Sequence, residues 1–262
     1  MPSATTLRHL RALPAVGLRL SLPQQEGHRL IYPVGGPDSL ATLLMTSPPE
    51  DAYAQGRVLL RDLARTLGAL HTVPAEGLTR RKYPGLLRLE PWFSRDFRKE
   101  GTVRLYTVVR RRLGDTRLRH LRERCRWFLT DTPAPVLLHG RPGTGVVVPD
   151  LTNGSGSLLA GEDMAAGRPC LDIGWVLGEL AELRGMVRRR IGAEAAAQWS
   201  LITRAFADAC DRPALEDARE VAVLGMLAHM RDACDYVGWG DEWATLTVDI
   251  LAEEAERAAQ GS

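Results

Sequence analysis

The stretch from Pro135 to Leu183, PVLLHGRPGTGVVVPDLTNGSGSLLAGEDMAAGRPCLDIGWVLGELAEL, constrains this chain more than any other. It holds a short apolar run at Val136 to Leu138, a His-Gly, a second run at Val146 to Val148, a Gly/Ser turn, and a third run at Leu158-Leu159. Gly167-Arg168-Pro169-Cys170-Leu171-Asp172 then opens a helix. Three brief strands joined by tight turns and delivered onto a helix describe a site rather than filler.

Elsewhere the periodicity is mainly helical. A short helix is expected over Thr5 to Leu13, and Leu18 to Leu22 and His28 to Val34 read as two strands of a hairpin turning at Gln24 to Gly27. In Glu50 to His71, Leu60, Leu63, Leu67 and Leu70 fall at three- and four-residue spacing, which builds one buried stripe. One or two helices follow Pro84, and Leu118, Leu121, Cys125 and Phe128 mark one face of another from Thr116 to Leu129. Ile173, Val176, Leu177, Leu180 and Val187 line a core helix, and Glu194 to Cys210, Ala214 to Tyr236 and Asp241 to Ala259 complete a bundle, with Asp241 as an N-cap.

In order, the Val136 to Gly174 segment is similar to the C-terminal lobe of the aminoglycoside phosphotransferase and choline kinase family, a branch of the protein-kinase-like fold. The family's hydrophobic-HGDxxxxN stretch is matched by Val136-Leu137-Leu138-His139-Gly140, its metal-binding acidic turn by Leu158 to Asp163, and its GDPxxDLA by Gly167 to Gly174. The turn Val34-Gly35-Gly36-Pro37-Asp38-Ser39-Leu40 resembles the hinge leaving the N-terminal lobe, and Leu70-His71 the close of the first long C-lobe helix. The resemblance implies an α+β kinase-like fold, with a truncated β-hairpin N-lobe at 1–48 and a mainly helical C-lobe at 49–262 containing the catalytic stretch 136–174. No Gly-rich phosphate loop precedes the hinge, and no lysine precedes Lys82.

The catalytic letters have changed. Where the family carries its base Asp this chain has Arg141, where it carries the metal-binding Asn an ungapped reading gives Val146, and where it carries the second metal-binding Asp it has Ala160. A carboxylate orients the acceptor hydroxyl in phosphoryl transfer, and an Asn with an Asp holds magnesium against the phosphates. Arginine accepts no proton, and valine and alanine offer no oxygen to a hard cation. The resemblance makes Asp172 a buried structural acid that takes hydrogen bonds from the catalytic-loop backbone. His139 is its expected partner and a residual acid-base candidate, with Glu162 and Asp163. His71 reads as a helix-end histidine with a structural hydrogen bond, since no acid lies near it in sequence.

Charge is unevenly spread. From Arg80 to Arg126 there are 16 basic and five acidic residues, although the whole chain carries only +2. Self-repulsion on that scale asks for an acidic counterpart, so Arg110, Arg111, Arg112, Arg117, Arg119, Arg122, Arg124 and Arg126 are expected to form a partner-binding surface. The expectation is a degenerate phosphotransferase, a pseudokinase needing no cofactor, that binds an acidic protein or peptide for a companion modifying enzyme. Kinase-like proteins resembling this family occur in bacterial ribosomal-peptide pathways such as those of class V lanthipeptides and thioamitides, where an acidic leader of the precursor peptide would suit the basic block. The alternative is an active phosphotransferase acting on Ser/Thr of a peptide or on a small-molecule hydroxyl. It would take ATP with magnesium held by Asp163, Glu162 or Asp150, and a gapped alignment would also bring Thr144 near the metal.

Other classes fit less well. Gly140 to Gly145 has the glycine count of a phosphate loop, but a strand follows where Gly-Lys-Ser/Thr and a helix are required. No G-x-S-x-G elbow accompanies a Ser/His/Asp set, and the scattered acids single out no glycosidase pair. Cys125, Cys170, Cys210 and Cys234 form no CxxC pair, so no metal is expected. Trp92, Phe93 and Phe97 interleave with Arg95, Arg98 and Lys99, yet no nucleic-acid-binding motif supports that use. No apolar run approaches the roughly 18 residues of a membrane span, and MPSATTLRHLRALPAVGLRL lacks a signal-peptide core. A cytoplasmic protein without a membrane partner is expected.

Overall fold

The computed structural model describes residues 4–14, 16–46, 51–75, 81–150 and 152–260. The expected domain boundary at 48/49, the helix start at Glu50, and Arg80 of the basic block lie outside them. Helix α1 (Ala4–Arg11) leads to strands β1 (Arg19–Ser21), β2 (Gln24–Glu26) and β3 (Arg29–Ile31), then to α2 (Leu40–Met45) and α3 (Ala52–Leu70). Helices α4 (Pro84–Phe93) and α5 (Glu100–Phe128) follow. The central stretch forms β4 (Val136–Leu138), a 3-10 turn at Thr144–Val146, β5 (Val147–Asp150), β6 (Ser155–Leu159) and β7 (Ala165–Gly167), and the chain ends in α6 (Cys170–Arg190), α7 (Ala193–Ala207), α8 (Arg212–Tyr236) and α9 (Asp241–Gln260).

The expected hairpin of Leu18 to Leu22 with His28 to Val34 is not what forms. β1 pairs in parallel with β6, placing Arg19 opposite Ser157 and Ser21 opposite Leu159, and β6 runs antiparallel to β5. The hairpin is the shorter pair β2–β3, turning at Gly27. Burial explains the choice. Leu18 and Ser21 are buried, and the Leu18 N–H donates to Thr66 Oγ1 of α3 at 2.8 Å, whereas Gln24–Glu26 is exposed throughout. A strand that can bury apolar side chains against α3 gains more in the central sheet than in an isolated two-stranded ribbon.

Two further differences concern the central region. β4 finds its partner in β7, Leu137 opposite Ala166, a strand too rich in alanine and glycine to announce itself. The expected helix at Thr116 to Leu129 is the second half of the 29-residue α5, broken at Gly114 with φ 79° and ψ 161°. Arg110 and Asp115 pair across that kink.

Helices α6 and α8 form the most extensive contact of the helical part. Their approach depends on two glycines one turn apart on α6. A Cβ at Gly174 would stand 2.5 Å from the Ala218 carbonyl oxygen, and one at Gly178 would stand 2.4 Å from that of Ala222. Leu180, Val221, Leu224 and Leu227 are fully buried at this seam. A second small cluster of Leu10, Leu70, Val73, Leu137, Ala160 and Met164 seats α1 beneath β4. No described helix is long and apolar enough to cross a membrane.

Because the obstacle at Gly178 is backbone, a larger side chain there must push α8 away. Overpacking of this kind costs about 1–3 kcal/mol. Gly178→Leu is therefore expected to lower the unfolding free energy from urea titration by about 3 kcal/mol or more, and Gly68→Ala, with nothing within 4 Å of its Cβ, to leave it equal or higher.

Candidate functional site

Asp172, in the first turn of α6, has no exposed surface. Its Oδ2 accepts the His139 N–H at 2.7 Å and faces His71 Nε2 at 3.1 Å, while Oδ1 accepts the Gly140 N–H at 3.0 Å. Burial alone would raise this acid's pKa. The hydrogen bond and charge of His71, the His139 ring and the Gly140 N–H outweigh it, and the net shift is downward. His71 reaches this acid across 101 residues of sequence, because α3 ends in the Leu70-His71 cap beside the start of α6. Gly140 has φ +94°, and a Cβ there would lie 1.7 Å from the Asp163 carbonyl oxygen, so only glycine fits.

The far end of the loop is held by an acid that the sequence reading passed over. Glu179, seven residues along α6 from Asp172 and hence on the same face, accepts the Thr144 N–H at 2.8 Å and the Thr144 hydroxyl at 2.7 Å. Burial pushes its pKa up, against the two Thr144 hydrogen bonds. The one available signal was the 172/179 spacing of acids in a stretch, Cys170 to Ala181, that is otherwise apolar. Thr144 itself, a possible metal-side residue under a gapped alignment, is fully buried and spent on this contact.

Nothing in the loop is poised for proton transfer or metal binding. The His139 ring is committed at both nitrogens, Nε2 donating to the Leu159 carbonyl at 2.7 Å and Nδ1 accepting the Arg141 N–H at 3.3 Å, and burial lowers its pKa. Arg141 Nε pairs with Asp163 Oδ2 at 3.3 Å. Ala160 is 3% exposed and packed in the small apolar cluster, and Val146 closes the 3-10 turn. Glu162 is exposed, and its carbonyl accepts from Arg81. Asp150 takes the Thr152 N–H and the Asn153 amide in its own turn, at 3.1 and 2.8 Å. Among the described residues no three His, Cys, Asp or Glu side chains are grouped to hold a metal ion. The magnesium that the resemblance implies therefore does not fit the residues aligned to its ligands: carbon, from Val146 and Ala160, stands at both positions where an oxygen ligand is needed.

Beside this loop lies a cleft of about 420 Å³ between Arg141 and Val146, Trp175 and Glu182 of α6, and His229 and Tyr236 of α8. Trp175 rests on the buried Tyr83 ring, 5.4 Å between centroids. Burial and the nearby Asp172 raise the Tyr83 hydroxyl's pKa well above its ordinary value. His229 Nδ1 meets Glu182 Oε2 at 2.7 Å, and that hydrogen bond and charge raise the imidazole to about 9 against burial.

The basic block is largely answered within the chain. Arg124 pairs with Glu220 and with Asp217 at 3.6 Å, Arg112 with Asp249 at 3.0 Å and Arg126 with Glu90 at 2.9 Å. Arg110 pairs with Asp115, Arg117 donates to the Ala255 carbonyl, and Arg122 donates to Ser94 Oγ at 3.3 Å. Arg111 and Arg119 lie exposed on α5 outside any salt bridge. Arg124 also lies over Trp127 at 4.1 Å, with Arg168 over the same ring at 4.0 Å.

Asp172→Asn is expected to destabilise the fold by about 2–4 kcal/mol, since the amide cannot accept all three donors and the loop N–H groups stay buried. The depressed pKa of Asp172 means its contribution is present above the ordinary carboxylate value near 3.9 and is lost as pH falls through the folded value. Glu179 behaves oppositely: its raised pKa adds stability as pH falls through the folded value towards about 4.3. Glu179→Gln, which can still meet both Thr144 groups, is expected to cost under about 1 kcal/mol at neutral pH and to abolish that gain. Glu179→Ala should cost about 2–3 kcal/mol. Urea titrations from about pH 2 to 8 check all three.

No family model matches the sequence, and no curated protein matches it. Solved structures do. Glucosamine kinase (crystal form B) superposes with a TM-score of 0.57 at 13% identity, covering 96% of this chain and 68% of that one. Glucosamine kinase in complex with glucosamine, ADP and inorganic phosphate gives 0.56 at 14% over the same shares. A mutant aminoglycoside 2′-phosphotransferase in its GDP complex gives only 0.46 at 15%, covering 100% and 86%, and adds no weight. Likeness at this identity speaks to architecture alone, and the architecture is the α+β kinase-like fold, with small sheets and a helical C-terminal part.

Proposed function

We propose that this chain is a binding module of the kinase-like fold that does not by itself carry out metal-dependent phosphoryl transfer, and that its ligand enters the cleft beside the loop 139–146. One observation carries the reading: the Arg141–Asp163 ion pair, with the buried methyl of Ala160 beside it in sequence, occupies the positions at which the resemblance would have a base and a magnesium ligand. A divalent cation brought there meets a fixed positive charge and loses an oxygen ligand, and phosphoryl transfer in this fold depends almost wholly on such positioning and charge. Meanwhile both ends of the loop stay clamped by Asp172 and Glu179, so the walls of the pocket keep their shape without its chemistry. An acidic partner at the basic block receives less support, because the acids of α8 and α9 neutralise much of that face. Exposed ion pairs of this kind contribute only about 0–1 kcal/mol each, yet they leave few guanidinium groups free.

The test is transfer from radiolabelled ATP with magnesium to water, glucosamine or a Ser/Thr peptide, run beside thermal unfolding. The wild-type chain is expected to release no phosphate above background and to gain no magnesium-dependent stability. A nucleotide–metal complex present at a hundred times its Kd would instead add about 2.7 kcal/mol. Phosphate transfer by the wild-type chain would overturn the proposal.

A further inference from the structure

The cleft carries a buried hydrogen-bond acceptor without a donor. Glu182 is 2% exposed, its Oε2 is taken by His229, and its Oε1 has no hydrogen-bond partner although the residue lines the cleft. A buried carboxylate oxygen left in that state is costly, and a hydrogen-bond donor carrying positive charge relieves it best. The other charged groups of the lining are already engaged: Glu179 by Thr144, Asp232 by Arg88 and Arg231, Arg141 by Asp163, and His229 by Glu182 itself.

The walls above the acid are of a different kind. Val146, Trp175, Gly225, Met226 and Ala233 present mostly carbon. A ligand bearing several hydroxyls would leave them facing apolar surface, at a cost for each unpaired group. An unbranched aliphatic stem ending in a cation suits both the carbon walls and the orphaned oxygen. At the mouth stand Tyr236, 79% exposed, and Val237, 89% exposed, the two most exposed large hydrophobic residues among those described. A small amine would leave this shelf bare. A chain continuing on both sides of the stem would cover it.

From these three features we infer that the cleft receives a lysine or arginine side chain of a polypeptide, its cation bonded to Glu182 Oε1 and its flanking residues resting on Tyr236 and Val237. The inference names the partner of the binding module proposed above and so rests on that reading. Its experiment uses neither nucleotide nor metal, so that the two can fail separately.

The full chain is titrated by calorimetry with a short capped peptide carrying one lysine between leucines, with the same peptide carrying acetyl-lysine, and with the small amines 1,5-diaminopentane and glucosamine. The lysine peptide is expected to bind at least tenfold more tightly than the acetylated one and than either small amine. Glu182→Gln, which keeps the shape but removes the charge, should weaken the lysine peptide by tenfold or more. Tyr236→Ser with Val237→Ser, at exposed positions that do not threaten folding, should weaken the peptide at least fivefold and leave any diaminopentane binding unchanged. Equal affinity for the acetylated peptide, or small amines binding as tightly as the peptide, would overturn the inference. So would a folded Glu182→Gln chain that binds like wild type. The acetylated peptide tests the charge on the wild-type chain, so the answer does not depend on whether that variant folds.

Discussion

The buried carboxylate of Asp172 gathers three donors. Two are backbone N–H groups of the turn after β4, and the third is a histidine from the end of α3. That turn has no regular partner for its amides, and buried amides must be paired. Once α6 delivers the acid, the turn, the end of α3 and the start of α6 become one unit. Glu179 then repeats the arrangement two helical turns on, with Thr144. The loop between these anchors has its shape set by α6, and α6 is set in turn by its glycine seam against α8.

With the loop shaped by α6, its own side chains are free to change. Arg141 and Val146 depart from the resembled pattern without touching either anchor, since the loop is held through main chain and Thr144. Charge in the rest of the molecule shows a similar economy. Helices α8 and α9 carry acids that meet the arginines of α5, so the sequence's basic block and its acidic remainder close on each other in three dimensions. Among the described residues, the buried polar atoms left without a hydrogen-bond partner include one oxygen of Glu182, in the lining of the cleft.

Much of this was legible before folding. Leucine spacing marked α3, the apolar faces marked α6 to α9, and the HG and GxPxxD pieces located the loop and the acid that holds it. What stayed hidden depended on distant partners. Nothing local in Arg19–Ser21 says that it pairs in parallel with a strand more than 130 residues away, and nothing near His71 in sequence names Asp172. Ala165–Gly167 is strand only because β4 needs a partner. The pairing of the basic block was hidden for the same reason: a sequence count sees the arginines together and Asp217, Glu220 and Asp249 scattered along α8 and α9, whereas folding brings them side by side.

The proposed function requires that the frame of a phosphate-transfer site be kept while its divalent-ion clamp is lost. Manganese is the direct probe, because it substitutes for magnesium and its electron paramagnetic resonance signal broadens when side-chain carboxylates coordinate it. With wild-type chain, ATP and manganese at equal concentration, the account predicts the spectrum of free manganese–ATP. A protein-dependent spectrum that disappears on Asp163→Asn would contradict it.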